Sequence, residues 1–274
     1  MEKIALPKKV EFNQDSKSNN GFVVVEPFYP GYGMTLGNSL RRVLLSSLPG
    51  AAVVGVKIKG VKHEFMSLSG VKEDIVDIIL NLKQLRLKIF ADTEEPIKLE
   101  LNVKGKKQIT AADIQKNSQV EIVNQDLVLA NTTEAISNLS MEIYVAKGRG
   151  YLLVERNKKE IKEIDYIEID SIFSPVLAVS AKVENVRVGK MTNWDKLILD
   201  IETDGTISVK EAFDNSVSIL IEQFKSLSML DNDVEIKVEA EDAEPVLEKV
   251  EIKSKVKAKA KVLNEEKKIK KGKK

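Results

Sequence analysis

Near its C-terminal end this sequence carries a helix that needs another helix beside it. Ser208-x-x-Glu211 reads as a capping box, in which each side chain satisfies the backbone N–H of the other residue. Phe213, Val217, Leu220, Phe224 and Leu227 follow at intervals of 4, 3, 4 and 3. That spacing draws a narrow apolar seam suited to a facing helix.

Two more helical patterns stand out. Leu36, Leu40, Val43, Leu44 and Leu48 recur at helical spacing until Pro49-Gly50 stops them. Val71, Ile75, Ile78, Ile79 and Leu82 repeat the pattern, with Ser69 placed as a cap. Most other segments alternate as strands do: Val54/Val56/Ile58, Ile97/Leu99/Leu101/Val103, Val120/Ile122, Met141/Ile143/Val145 and Leu197–Ile201. An Asp204-Gly205 turn separates the last of these from the capped helix. Strands far outnumber helices and no internal repeat is evident, so the expected class is α+β with antiparallel sheets.

Several chemistries lack their residues. The chain has no cysteine, hence no disulfide, thiolate zinc site or cysteine nucleophile. His63 is its only histidine; His63-Glu64 begins a two-histidine zinc helix, but Ser67 stands at the second ligand position. There is no Gly-x-Ser-x-Gly elbow for a serine nucleophile. The longest apolar runs, such as Ala51–Val56, fall far short of the roughly 20 residues of a membrane span. The first residues carry no signal-like apolar core, so a cytoplasmic protein without membrane contact is expected.

The stretch from Glu26 to Arg42 is rich in glycine, yet Gly31, Gly33 and Gly37 follow G-x-G-x-x-x-G and miss the dinucleotide fingerprint by one position. Gly55 and Gly60 resemble half a phosphate loop in which Val61 replaces the lysine. A turn feeding a helix fits better, with Thr35 as its N-cap. Arg41 and Arg42 follow on that helix. Neighbours on a helix are offset by about 100°, so one arginine can serve locally while the other faces a partner. Charge is uneven as well. Residues 231–250 sum to −6 and residues 251–274, with eleven lysines, to +8, behind a nearly neutral body. This end has too little apolar surface to fold alone and reads as a disordered acidic linker with a Lys-rich tail.

The run from Tyr32 to Ala51 closely resembles the signature of the bacterial DNA-directed RNA polymerase alpha-subunit family. The resemblance continues through Gly60–Phe65, Gly70–Ile75, Asn81–Lys83, Thr110–Ile114, Gly148–Tyr151, Phe173–Val176, Asp195–Leu197 and Glu202–Ile207. These blocks keep the family's order across roughly residues 20–228. The resemblance implies a discontinuous dimerisation domain, residues 1–49 and 172–230, of antiparallel sheet plus two main helices. A mainly β second domain, residues 50–171, is inserted in it and contacts the large subunits; residues 231–274 stay outside both. It implies a homodimer seam of Leu36, Leu40, Leu44 and Leu48 with Phe213, Val217, Leu220, Phe224 and Leu227. It further implies contact with the beta subunit through Thr35, Asn38, Arg42, Ser46, His63, Glu64 and Asp74. Asn81, Lys83 and Arg149 are expected at beta-prime or beta.

Such a subunit scaffolds the transcribing enzyme and carries no catalytic, cofactor or metal site of its own, the polymerase magnesium belonging to another subunit. Met34 departs from the family, which often has a polar residue there. Nothing after Leu230 resembles the family's C-terminal DNA-binding domain, so its DNA and activator recognition does not carry over. The equivalent subunit of an archaeal or nuclear-type polymerase, a dimeric DNA-compacting protein and an independent enzyme are the other readings. The lysine tail either solubilises the chain or touches upstream DNA weakly within an assembled polymerase. Contact through lysines releases counterions and weakens steeply with salt. Promoter affinity and its salt slope, compared between polymerase with the full chain and polymerase whose alpha ends at Leu230, decide between the two. A DNA-touching tail steepens the slope; a solubilising tail leaves both quantities unchanged.

Overall fold

The computed structural model describes residues 4–14, 19–91, 93, 95–133, 138–154 and 165–228; the acidic linker and lysine tail lie outside them. In chain order, β1 (Lys9–Gln14) and β2 (Asn20–Phe28) lead into α1 (Tyr32–Ser46), and β3 (Pro49–Ile58) precedes α2 (Ile75–Lys83). Nine short or medium strands follow: β4 (Leu87–Ile89), β5 (Ile97–Lys104), β6 (Gln108–Thr110), β7 (Val120–Ile122), β8 (Val128–Asn131), β9 (Asn138–Arg149), β10 (Tyr151–Leu152), β11 (Tyr166–Glu168) and β12 (Ser171–Ile172). The hairpin β13 (Val176–Val188) and β14 (Met191–Thr203) then leads to α3 (Val209–Ser228). The class is α+β, and these strands pair antiparallel throughout the described residues.

One sheet has the order β1-β2-β14-β13 and draws its strands from both ends of the described chain. Helices α1 and α3 cover one face of it and pack on each other. Val23, Val25, Leu197, Leu199 and Ile201 meet Leu40, Leu44, Leu48, Val209, Ala212 and Phe213 in the core between them. A second sheet, β11-β3-β9-β5, forms in the intervening segment. Its core faces α2 and the small pairs β4-β7 and β6-β8, through Ile78, Leu82, Leu101, Leu129, Leu139 and Ile143.

Strand β3 departs from the simple alternation expected of it. A bulge between Val53 and Gly55 turns Val54 away from Val56 and Ile58, which share the α2-side core with Val53. Val54 packs with Ala52, Tyr144 and Phe173 on the opposite face. The strand is buried on both sides, so its apolar run is nearly continuous. Helix α2 also begins later than its periodicity suggests. Asp74 is the N-cap and Ile75 the first helical residue, whereas Val71 forms an isolated bridge with Thr132. Ser69 therefore caps nothing. The capping box at α3 is as read: Ser208 N–H donates to Glu211 Oε2 at 3.0 Å, and Glu211 N–H donates to Ser208 Oγ at 3.2 Å. The bond from the Ser208 backbone is the main cause that holds the Glu211 carboxyl below its usual range.

The turn expected before α1 is present at Pro30–Gly31, and Gly33 and Gly37 lie within the helix itself. Gly31, at φ 90°, precedes the first helical residue and offers no side chain to cap the helix. Thr35 lies inside the helix, its hydroxyl donating back to the Gly31 carbonyl. The cap comes from Asp195 on β14, whose Oδ2 accepts the N–H of Gly31 at 2.8 Å and of Gly33 at 3.0 Å. Asp195 is 7% exposed, so α1's positive end is closed by a buried carboxylate of the chain itself. Gly33 and Gly37 share the helix face toward the strand. A Cβ on Gly33 would lie 2.8 Å from Asp195 Cβ, and one on Gly37 would lie 2.7 Å from Leu197 Cδ1. Helix spacing of four meets strand spacing of two, and the absent side chains let the elements touch. Asp195→Ala strands two N–H groups, and an unsatisfied buried donor costs about 1–3 kcal/mol. Chemical denaturation is expected to show a loss of that size, with Asp195→Asn losing less because it keeps an acceptor oxygen.

Candidate assembly surface

Helix α1 divides its residues between two tasks. Gly33, Gly37, Leu40 and Leu44 face the sheet and are buried. Thr35, Asn38, Arg42 and Ser46, at intervals of 3, 4 and 4, form an exposed row on another face. Two of its hydroxyls are bonded to the helix's own carbonyls, Thr35 to Gly31 and Ser46 to Arg42, which fixes the row's outline. The two arginines part as their angular offset requires. Arg41 reaches back and donates from Nε to the Val179 carbonyl of β13 at 3.2 Å. Arg42 stands exposed in the row.

The remaining expected contact residues fall in two places. Ser46 closes the α1 row beside Gly150, whose Cβ, if present, would lie 3.4 Å from the Ser46 carbonyl. Arg149 is exposed there at the end of β9. Strand β10 pairs with β12 and not with β9, so the Gly148–Gly150 segment does not close a hairpin. Gly148 is small because the Phe173 ring lies against it, 2.7 Å from where a Cβ would sit. Beyond it Asp170 gathers several groups: its Oδ1 accepts the Val154 N–H at 2.9 Å, and Lys83 Nζ lies 3.9 Å from its Oδ2. Asn81, two residues earlier on α2, donates to the Leu129 carbonyl at 3.0 Å and so supports the fold.

His63 and Glu64 lie elsewhere. They are exposed in the loop after β3, and β3's ten residues separate that loop from Ser46 by roughly 30 Å at about 3.3 Å per residue. The loop is fastened by Glu73, whose two oxygens accept the backbone and side-chain N–H of Asn131, each at 2.7 Å. Partial burial pushes the Glu73 carboxyl upward, but those bonds outweigh it and hold the group below its usual range. Asp74 is exposed at the head of α2. The expected beta contacts thus form two separate patches, with Arg149 beside the first.

The expected dimer seam divides as well. Leu40, Leu44 and Leu48 are buried in this chain's own core, Leu44 completely, so they have no surface left for a second copy. Phe213 is also buried, while Leu36, Val217 and Leu220 are half-buried against the same core. Phe224 and Leu227 remain exposed at 59% and 64%, joined by Ile221, which the seam had not included. The spacing identified the apolar side of each helix; it does not carry the depth at which a neighbouring sheet intercepts it.

A cavity of about 290 Å³ between Phe90, Leu99, Ile114 and Val120 contains none of these residues. Among the described residues no group of three His, Asp or Glu side chains is placed to hold a metal ion, and no helix is long and apolar enough to cross a membrane.

The sequence model of the RNA polymerase Rpb3/RpoA insert domain family matches residues 56–174. A DNA-directed RNA polymerase subunit alpha of Desulforamulus reducens is 52% identical over 238 residues, covering 85% of this chain and 75% of the relative. One of Carboxydothermus hydrogenoformans is 48% identical, covering 85% and 74%. One of Oceanobacillus iheyensis is 47% identical over 251 residues, covering 92% and 77%.

The split between the arginines makes a stability prediction. Arg41→Ala removes a hydrogen bond from β13 and is expected to lower the unfolding free energy by about 1 kcal/mol. Arg42→Ala is expected to change it by less than about 0.5 kcal/mol. Urea titrations of both variants check this.

Proposed function

Because the chain belongs to the family of bacterial DNA-directed RNA polymerase alpha subunits, we propose that it homodimerises and gathers beta and beta-prime for transcription. The observation that carries this reading is the outer half of α3. A helix of 20 residues is about 30 Å long, and only its first half is covered by the chain's own sheet and α1. Ile221, Phe224 and Leu227 continue the apolar repeat into solvent. A two-fold axis beside them lets each copy cover the other's stripe, with an apolar repeat of the kind that helix pairs bury.

The exposed row Thr35, Asn38, Arg42 and Ser46 is the surface we assign to beta, with the His63–Asp74 loop as a second contact. Arg149 and Lys83 are assigned to beta-prime or beta. Residues 1–49 with 172–230 act as the dimerising part, residues 50–171 as the inserted part, and residues 231–274 as linker and tail. Nucleotidyl transfer and its magnesium belong to another subunit, DNA is reached through the assembled enzyme, and the assembly works in the cytoplasm.

Two substitutions separate these roles. Phe224→Asp with Leu227→Asp is expected to convert the purified chain from dimer to monomer in light scattering, with its helix and strand content kept. Arg42→Ala is expected to stay dimeric yet lose roughly 2–5 kcal/mol of beta affinity, the range for truncating one member of a desolvated charge pair. Unchanged dimers in the first variant, or unchanged capture of beta in the second, contradict the corresponding role.

A further inference from the structure

Three aromatic side chains from three elements meet at the N-terminal end of α1. Tyr29 follows β2, Tyr32 opens α1, and Trp194 lies on β14. The Tyr29 ring stands edge-on to Tyr32 at 6.2 Å between centroids and to Trp194 at 6.0 Å. Both tyrosines are exposed and Trp194 is half-buried. The group is held in place. The Tyr32 N–H donates to the Tyr29 carbonyl at 3.1 Å. Asp195, next to Trp194, binds the N–H groups of Gly31 and Gly33 on either side of Tyr32. The rings therefore lose little freedom when something packs on them, which is the property of an effective binding anchor.

Position says what that something is. Tyr32 precedes Thr35 by three residues, so Tyr32, Thr35, Asn38, Arg42 and Ser46 run along one helix face at intervals of 3, 3, 4 and 4. The aromatic group is the end of the same row. An interface typically draws much of its binding energy from a few aromatic residues with polar residues beside them, and the three rings supply the aromatic part at the end of this polar row.

Resting on the reading of this row as the beta-binding surface, we propose that Tyr29, Tyr32 and Trp194 form its aromatic anchor and receive an apolar side chain of the beta subunit. A cation is disfavoured by the surroundings. Val186 pairs with Trp194, which brings Arg187 and Lys190 to the same end of the β13–β14 hairpin. The neighbouring Glu26 carboxylate lies 3.8 Å from Lys196 Nζ and is already engaged.

The test uses the full-length dimer and purified beta subunit in a surface-capture assay. Tyr29→Ala and Tyr32→Ala are each expected to weaken capture roughly ten- to thirty-fold, as loss of an interface hot spot does. Tyr32→Phe is expected to stay within about two-fold, because the ring rather than the hydroxyl makes the contact. Trp194, the chain's only tryptophan, gives a second readout that needs no substitution. Replaced biosynthetically by 5-hydroxytryptophan, it can be excited apart from the tryptophans of beta, and binding is expected to protect it from iodide quenching. Full capture by both alanine variants, or unchanged quenching in the complex, overturns the anchor. If Arg42→Ala still loses capture in that event, the beta-binding reading stands and only the anchor fails. If no variant on this face loses capture, the reading itself fails.

Discussion

The contact between α1 and β14 organises most of the molecule. It depends on two missing side chains and one carboxylate. Gly33 and Gly37 allow the helix to touch Asp195 and Leu197, and Asp195 takes the place that a capping side chain or a bound anion would fill. With that distance set, Leu40, Leu44 and Leu48 reach the core of the first sheet. The opposite row, from Tyr32 to Ser46, is then presented in one orientation. A bulkier residue at Gly33 would have to move the helix or the strand, since the atom it meets is Asp195 Cβ rather than the far end of a flexible chain. The partial likeness of this glycine-rich segment to a dinucleotide-binding loop dissolves for the same reason, because the N–H groups such a loop would offer are already engaged.

A second close approach joins the two sheets. Gly50 and Gly148 are paired across β3 and β9, and Phe173 lies on both. Its carbonyl occupies the place of a Cβ on Gly50, and its ring occupies that of Gly148. The chain passes from α1 to the second sheet at Ser47–Leu48 and returns to the first sheet at Val176, so both passages run beside this contact. The Phe173 N–H donates to the Gly150 carbonyl at 2.8 Å, which ties the returning strand to the end of the α1 row.

Local features were legible in the sequence, and long-range ones were not. The α3 capping box was readable because its two members lie three residues apart and need only each other. The alternation of Ile97, Leu99, Leu101 and Val103 matched a strand buried on one side only. Asp195 was invisible as a helix cap, since the groups it binds lie more than 160 positions earlier. Thr35 was named in its place by proximity alone. The bulge at Val53–Gly55 also escaped notice: β-branched residues on both faces of a strand look the same whether or not one residue is extra. The apolar spacing of α1 and α3 gave the correct faces, but not how far the chain's own sheet would cover them. That left Leu44 buried and Phe224 exposed within what read as one seam. The acids and lysines after Leu230 belong to residues outside those described.

The role proposed for this chain is that of a dimeric platform that gathers the large polymerase subunits. Native mass spectrometry of the chain co-expressed with beta and beta-prime tests it most directly. The expected result is an assembly with two copies of this chain, one beta and one beta-prime, and a free dimer when the large subunits are withheld. A chain that remains apart from both large subunits, or enters the assembly as a single copy, would contradict it.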